Sequence, residues 1–133
     1  MGIRGVTILI GLLLASASVS SAQEAGDATA GATVFKKCMG CHAVGEGARN
    51  KVGPVLNGVV GRQAGTFPDF RYSDAMVKAG EGGLTWTAEN LAKYLHAPKD
   101  VVPGNKMAFP GLKEQADIDN VIAYLASLPA PAP

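Results

Sequence analysis

Cys38-Met39-Gly40-Cys41-His42 is the stretch that decides the fold of this 133-residue chain. Two thiols at this spacing lie about one turn apart at a helix end, so both can add to the two vinyl groups of one porphyrin. The histidine that follows is then held beneath the ring, where its imidazole can bind iron as the proximal ligand. The pattern therefore predicts one c-type haem attached through Cys38 and Cys41, with His42 as an iron ligand.

Three other interpretations of the two cysteines compete with haem attachment. A thioredoxin-like redox pair should lie next to a βαβ pattern, and the sequence shows none. Half of a zinc site would need about four ligands in all, and the chain has no second Cys/His pair. A structural disulfide leaves His42 without a role. Haem attachment accounts for all three side chains together.

Composition indicates one small domain with a modest core. The formal net charge is +1, so the chain lacks the excess of basic residues that is typical of nucleic-acid-binding proteins. The chain has 17 glycines and only 6% aromatic residues, so its own side chains supply limited apolar volume. A buried macrocycle would supply the missing volume and stabilise the fold, as disulfides or structural metals do in other small folds.

Residues 1–22 have the layout of a secretory signal peptide. Arg4 precedes an apolar run at 6–15, and small residues then continue to Ala22, after which we expect cleavage. The alternative is an uncleaved membrane anchor, although the apolar run is short for a span of about 20 residues. Export agrees with the motif, because bacterial c-type haem is attached outside the cytoplasm. We therefore expect a periplasmic protein.

Three main helices are predicted in the rest of the chain. The first covers residues 28–37, after Asp27 as N-cap, and leads into the cysteine motif. The second begins after Thr87, a favourable N-cap, and ends before Pro98. The third covers residues 114–127, where apolar side chains repeat at i, i+3, i+4 and i+7. Because no strand pattern is found, we expect an all-α fold.

The segments between these helices are rich in glycine and proline. Residues 43–61 are predicted to form a loop, residues 73–78 a short helix, and residues 99–113 an extended, looped segment. The Pro/Ala-rich tail at 129–133 should be disordered or extended. One domain at 23–128 then contains every predicted helix.

A haem iron with one histidine ligand needs either a second axial ligand or an open site. Met107 lies in a loop stiffened by prolines, residues 103–110, and a thioether is a soft ligand that favours ferrous iron. Met39 cannot reach the opposite face of the ring, Met76 lies in a polar helical stretch, and His96 points away from its helix's apolar face. A lone methionine more often fills a core, but the loop context favours Met107 as the ligand.

Further stretches follow the motif in a fixed order. They are Phe35-Lys36-Lys37-Cys38-Met39-Gly40-Cys41-His42, Gly53-Pro54-Val55-Leu56, Gly61-Arg62, Phe70-Arg71-Tyr72-Ser73, Leu84-Thr85-Trp86, Tyr94-Leu95, Pro98-Lys99, Pro103-Gly104-Asn105-Lys106-Met107-Ala108-Phe109 and Ile122-Ala123-Tyr124-Leu125. With them, residues 26–128 resemble class I cytochromes c, in particular the mitochondrial-type and bacterial c2-like branch. The resemblance implies an all-α cytochrome c fold, in which three main helices, short helices and loops wrap around one covalently bound haem c.

The resemblance also implies an axial ligand pair and its support. His42 and Met107 would be the two metal ligands. The backbone carbonyl of Pro54 would accept a hydrogen bond from the free ring nitrogen of His42, which fixes the tautomer and the orientation. Tyr94 would lie near the Met107 sulfur and tune the reduction potential.

Another set of residues is implied to hold the inner haem propionate, a buried charge that must be hydrogen-bonded. Tyr72, Trp86 and Arg62 would supply these bonds. The family usually has threonine at position 105, where its hydroxyl assists a propionate. Asn105 can donate a similar bond through its amide, so we expect a small perturbation. The alternative for the aromatic residues is a plain core role, in which they would still line the haem pocket.

The function that the resemblance implies is electron transfer without enzymatic activity. A soluble periplasmic carrier would move single electrons from a quinol-cytochrome c reductase to a terminal oxidase or a photosynthetic reaction centre. A second hypothesis makes the protein a dedicated acceptor for a periplasmic dehydrogenase. A third, of another class, is a haem enzyme or gas sensor with an open sixth site.

Docking to such membrane complexes is expected to be transient and to involve a monomer. Four side chains resemble the family's ring of lysines around the exposed haem edge: Lys37, Lys51, Lys99 and Lys106. Opposite charges on a partner would steer the encounter and make it sensitive to salt. The alternative for each is an ordinary solvated surface lysine.

Overall fold

The computed structural model describes Gly2 and residues 26–131, so the predicted signal segment lies outside the described residues except for Gly2. The described chain contains five helices: α1 (Ala28–Phe35), α2 (Asp74–Glu81), α3 (Ala88–His96), α4 (Pro98–Val101) and α5 (Gln115–Ala126). Its extended backbone pairs only at one isolated bridge, between Gln63 and Thr85. The predicted all-α fold is confirmed. None of the helices in this part of the chain has the length and hydropathy needed to span a bilayer.

The first helix begins at its predicted cap. The Asp27 carboxylate accepts a hydrogen bond from the Ala30 N–H at 2.8 Å, which satisfies one of the free amides of the first turn. The helix ends at Phe35, two residues before the predicted end, because the chain continues through the cysteine motif as consecutive turns. The motif thus follows directly from a capped helix, and its position is fixed by that helix.

The short helix and its neighbour differ from the prediction. Helix α2 starts after Ser73, whose hydroxyl accepts the Met76 N–H, and it continues to Glu81 rather than ending at 78. Helix α4 was not predicted, because Pro98 indicates the end of the preceding helix. Proline has no N–H to lose at the first position of a helix, so the same residue also starts the next one.

Helices α1 and α5 cross at Gly31, a glycine inside the first helix, where such a residue is unfavourable unless another backbone packs closely against it. A Cβ at Gly31 would collide with the carbonyl oxygen of Asn120 and lie 2.7 Å from the Tyr124 Cβ. One turn further on, the Phe35 ring packs against the Tyr124 ring with centroids 5.4 Å apart. The absence of a side chain at Gly31 therefore lets the two backbones approach closely.

The long loop between the motif and α2 is fixed by two amide side chains. Asn57 is buried; its Oδ1 accepts the Gly45 N–H at 2.8 Å and its Nδ2 donates to the Gly45 carbonyl at 3.0 Å. Asn50 accepts from the Val55 N–H at 2.9 Å and donates to the Pro68 carbonyl at 3.1 Å. These bonds satisfy backbone groups that a loop leaves unpaired, so the loop forms a defined wall.

The chain end packs on this loop. Residues 129–131 have no helix or strand, in agreement with the expected extended tail. A Cβ at Gly58 would lie 2.8 Å from the Ala130 Cα. The first residues of the tail therefore lie against the loop that carries the site described next.

Candidate haem site

A cavity of about 730 Å³ opens between the cysteine motif, the loop wall, α3 and the loop that follows α4. This volume falls within the range of about 300–1,000 Å³ that is usual for cofactor pockets. The structure brings all ten predicted site residues to its walls: Cys38, Cys41, His42, Pro54, Arg62, Tyr72, Trp86, Tyr94, Asn105 and Met107. The side chains that the sequence spreads over 70 positions thus converge on one site.

The imidazole of His42 is oriented by the residues that follow the motif. Its Nδ1 lies 2.8 Å from the carbonyl oxygen of Pro54. Because a carbonyl only accepts, Nδ1 carries the hydrogen and Nε2 keeps a lone pair for a metal. Burial lowers the pKa of His42, the Lys51 charge adds to this, and the bond to Pro54 opposes it. The neutral form that binds iron is therefore favoured.

Gly53 contributes to this orientation in a way that the sequence analysis missed. A Cβ at Gly53 would lie 2.7 Å from Nδ1 and 2.9 Å from Nε2 of His42. Such distances leave no room for any side chain, so the imidazole lies directly against the backbone. The Gly53-Pro54 pair after the motif was the available signal, since glycine permits close backbone approach.

The two cysteines are free thiols on one rim of the cavity. Cys38 is half-buried and Cys41 is exposed. Burial raises the pKa of the Cys38 thiol, while the charge of Lys37 lowers it and Cys41 raises it. The backbone N–H groups of Cys41 and His42 both donate to the Cys38 carbonyl, at 3.1 and 2.9 Å. One turn therefore presents both sulfurs and the imidazole together.

Met107 meets the side chain that was predicted to tune it. The hydroxyl of Tyr94 donates to the Met107 sulfur at 3.9 Å. Burial raises the pKa of Tyr94 to about 12, so the phenol keeps its hydrogen. Met107 is partly buried and lines the cavity, so its thioether lies at the wall of the predicted haem pocket.

Met76 is a second methionine at the cavity. The expectation that it lies in a polar helical stretch needs correction, because its side chain is buried. The stretch around it is polar, but the Met76 side chain is only 8% exposed and belongs to the core. Helix α2 turns its polar residues outward and this one inward. His96, in contrast, is exposed, as expected. Met76 is thus an alternative candidate for the iron ligand, and a test of Met107 must include it.

Arg62 and Tyr72 provide hydrogen-bond donors at one side of the cavity. The Arg62 guanidinium donates to the Asn57 carbonyl at 3.0 Å and lies 4.8 Å from the centre of the Phe67 ring. Burial lowers its pKa, an effect that Tyr72 opposes. No carboxylate pairs with it among residues 26–131. The Tyr72 hydroxyl accepts the Phe67 N–H at 3.1 Å, which leaves its own hydrogen free to donate.

Trp86 completes this group. Its indole is buried, and its ring centroid lies 4.7 Å from that of Tyr94. No hydrogen bond joins the indole N–H to another residue among 26–131, and its nitrogen is not fully buried. A half-buried cation, a free hydroxyl hydrogen and an indole N–H at one cavity suit an anionic group. The residues present therefore fit a haem with its carboxylates.

Asn105 uses its amide differently from the expected propionate bond. Its Nδ2 donates to the Val102 carbonyl at 2.8 Å and to the Pro98 carbonyl at 3.2 Å. Its Oδ1 accepts the Met107 N–H at 2.9 Å. An amide nitrogen has two hydrogens, so both are engaged. The propionate bond stays a prediction, and it would require one of these hydrogens to be shared.

The four lysines predicted for docking fall into two pairs. Lys37 forms an ion pair with Asp117 at 3.0 Å, and the Lys51 ammonium donates to the Met39 carbonyl at 2.7 Å. Lys99 and Lys106 are exposed, and neither has a hydrogen-bond or ion-pair partner among residues 26–131. The lysines thus differ in that the first pair is engaged within the protein and the second pair is not.

The fold and the site together define a class of protein: an all-α haem binder with two cysteines for covalent attachment. The chain belongs to the cytochrome c family, whose model matches residues 28–129. Members of this family carry one covalently attached c-type haem, and this chain has the two cysteines required.

Relatives with assigned names agree with this placement. The chain is 56% identical to cytochrome c2 of Agrobacterium tumefaciens (strain II Chrys) over 100 residues, which cover 75% of this chain and 90% of the relative. It is 47% identical to cytochrome c2 of Blastochloris viridis over 118 residues, covering 89% of this chain and 90% of that one. The solved cytochrome c2 of Rhodospirillum centenum superposes with a TM-score of 0.75 at 42% identity, covering 80% of this chain and 100% of that structure.

Proposed function

We propose that this chain is a periplasmic one-electron carrier whose haem is bound by Cys38 and Cys41 and ligated by His42 and Met107. Membership of the cytochrome c family supports the electron-carrier role. The observation that carries the ligand assignment is the bond from the Tyr94 hydroxyl to the Met107 sulfur at the same cavity that His42 lines. When bound, the haem supplies an iron that alternates between the ferrous and ferric states.

Residues of the chain hold the ligands in one arrangement for both oxidation states. Pro54 fixes the tautomer of His42, and Gly53 leaves no space for the imidazole to tilt toward the backbone. Tyr94 donates to the sulfur, which draws electron density from the thioether. A ligand set that stays in place during electron transfer keeps the reorganisation small.

The donor group at the other side of the cavity neutralises the haem carboxylates. Arg62 supplies positive charge, and Tyr72 and Trp86 supply hydrogen-bond donors. A buried carboxylate is costly unless it is paired and hydrogen-bonded. These three residues therefore stabilise the loaded protein and keep water away from the pocket.

Export and docking complete the proposal. The signal-peptide layout of residues 1–22, together with the attachment motif, supports a periplasmic location. The donor is a quinol-cytochrome c reductase, and the acceptor is a terminal oxidase or a photosynthetic reaction centre. Exposed Lys99 and Lys106 offer positive charge for a transient, electrostatically steered encounter.

The test compares two volume-conserving variants of the holoprotein, Met107→Leu and Met76→Leu. Each is reduced, and carbon monoxide is added while the visible spectrum is recorded. The wild type and Met76→Leu should keep their spectra, whereas Met107→Leu should bind carbon monoxide and show a lower reduction potential, because it has lost a thioether that favours ferrous iron. Carbon monoxide binding by the wild type would favour an enzyme or sensor, and binding by Met76→Leu alone would move the ligand to α2.

A further inference from the structure

The loop that carries Met107 is tied down by one side chain. The loop contains no regular secondary structure between α4 and α5. Asn105 accepts the Met107 N–H through Oδ1, at 2.9 Å, and donates through Nδ2 to the Val102 and Pro98 carbonyls, at 2.8 and 3.2 Å. The partners fix the amide orientation, because a backbone N–H donates and a carbonyl accepts.

The two carbonyls belong to residues in the core. Pro98 and Val102 are both almost fully buried. They lie at the start of α4 and directly after its end. One side chain, that of Asn105, thus binds both the backbone N–H of Met107 and the carbonyl groups of two buried residues, Pro98 and Val102. The link is short, since only Lys106 separates the asparagine from the methionine.

We propose that Asn105 is a positioning residue that holds Met107 in place and sets how often its sulfur leaves the iron. This rests on the proposed function, in which Met107 is the ligand. The bond to the Met107 N–H restrains the backbone directly, and the two bonds to carbonyls restrain the asparagine itself. Together the three bonds hold the Met107 backbone against the buried carbonyl groups of Pro98 and Val102.

The experiment measures the departure of the sulfur without relying on electron transfer. Imidazole is titrated into the ferric holoprotein, where it can bind only after Met107 leaves. Exchange of the Met107 amide hydrogen is followed by NMR in the same samples. In Asn105→Ala we expect imidazole affinity and Met107 amide exchange each to rise about tenfold, the factor for about 1.4 kcal/mol, which is the scale of one net hydrogen bond.

Asn120→Ala is the matched control. Asn120 also accepts one backbone N–H through Oδ1, that of Asp27 at 2.8 Å, but this contact lies where α1 and α5 cross and the side chain does not line the cavity. We expect this variant to keep both measurements within about twofold of the wild type. Equal values in Asn105→Ala and Asn120→Ala would overturn the proposal.

A second variant covers the case in which Asn105→Ala does not fold. Asn105→Asp keeps an acceptor for the Met107 N–H but loses both donors and turns an anionic oxygen toward the Pro98 and Val102 carbonyls. Imidazole affinity should rise here as well, because both side-chain bonds to these carbonyls are lost and only the backbone bond from residue 105 to Val102, at 3.1 Å, remains. Unchanged affinity in this variant would contradict the proposal.

Two outcomes separate this proposal from the function it rests on. If Met107→Leu binds imidazole no better than the wild type, Met107 is not the ligand and the proposed function fails. If Met107→Leu binds it tightly while Asn105→Ala behaves like the wild type, only the role of Asn105 is wrong. A changed reduction potential in Asn105→Ala with unchanged imidazole binding and amide exchange would assign the amide to a haem carboxylate, which also overturns the positioning role.

Discussion

The hydroxyl of Tyr94 donates to the sulfur of Met107 across 3.9 Å. This contact joins α3 to the loop that follows α4, two segments that also meet where the Leu112 N–H donates to the Leu95 carbonyl at 2.7 Å. The ring of Tyr94 also stacks near Trp86, with centroids 4.7 Å apart. One tyrosine therefore links the proposed axial ligand to the side chains predicted to hold a haem carboxylate.

Tyr94→Phe removes the hydrogen bond to the sulfur and should lower the reduction potential. A thioether that no longer donates electron density into an O–H bond is a better donor to ferric iron, so the oxidised state is favoured. A bond of about 0.5–1.4 kcal/mol corresponds to about 20–60 mV for one electron. Redox titration of the holoprotein measures the change.

Tyr124→Phe is the control for that titration. Tyr124 packs on Phe35 where α1 and α5 cross, and its ring does not line the cavity. The reduction potential of the Tyr124→Phe holoprotein should match that of the wild type. The tuning role of Tyr94 would be refuted by equal potentials in all three proteins.

Gly53→Ala should destabilise the holoprotein by about 1–3 kcal/mol, the usual cost of overpacking. The new Cβ would lie 2.7 Å from the Nδ1 of His42, so either the imidazole or the loop must move. Denaturant unfolding of the loaded protein measures the loss. Gly40→Ala is the control, because no protein atom lies within 4 Å of a Cβ at that position. Equal stability of the two variants would show that the His42 contact is unimportant.

Gly31→Ala should also destabilise the fold, although alanine is the better helix former by about 1 kcal/mol. The added methyl group meets the carbonyl oxygen of Asn120 and the Cβ of Tyr124, so α1 and α5 must separate. We expect a net loss of about 1–3 kcal/mol in the free energy of unfolding. Ala30→Gly, at an exposed position of the same helix, calibrates the propensity effect. A gain in stability for Gly31→Ala would contradict the close crossing.

Lys106→Ala and Lys37→Ala should differ in their effect on docking. Lys106 is exposed without a partner in the described part of the chain, whereas Lys37 is paired with Asp117. Loss of an unpaired rim charge should lower the association rate with a quinol-cytochrome c reductase on the order of threefold and weaken its salt dependence. Lys37→Ala should change the rate less. Stopped-flow reduction at several ionic strengths tests this, and the reverse order of effects would be inconsistent with the structure.

Local sequence signals predicted the parts of the molecule that depend on neighbours along the chain. Asp27 and Thr87 begin helices as expected, because an N-cap acts on amides three positions away. Gly31 indicated a close crossing, since a glycine inside a helix is otherwise unfavourable. The resemblance then supplied the residues from distant segments, which the structure gathers around one cavity.

Features that depend on tertiary contacts were not visible in the sequence. Met76 has polar neighbours along the chain, and only the packing of α2 shows that it faces the core. The engagement of Asn105 with Pro98 and Val102 depends on α4, a helix that was not predicted. The contact of Gly53 with His42 requires the loop to fold back on the motif. Each of these three features depends on how distant segments pack together, which hydrophobic periodicity and helix propensity do not determine.

The pairing of α1 with α5 connects the two ends of the domain. The Asp27 N–H donates to the Asn120 side chain across 93 positions of sequence. A chain that is synthesised from its N-terminus delivers the cysteine motif early and α5 last. The first helix therefore has no partner until nearly the whole domain has emerged, because contacts between distant segments form only after both exist. Because α1 has only eight residues, it is marginal as a helix without that partner, so the cysteine motif gains its fixed position only when α5 packs against α1.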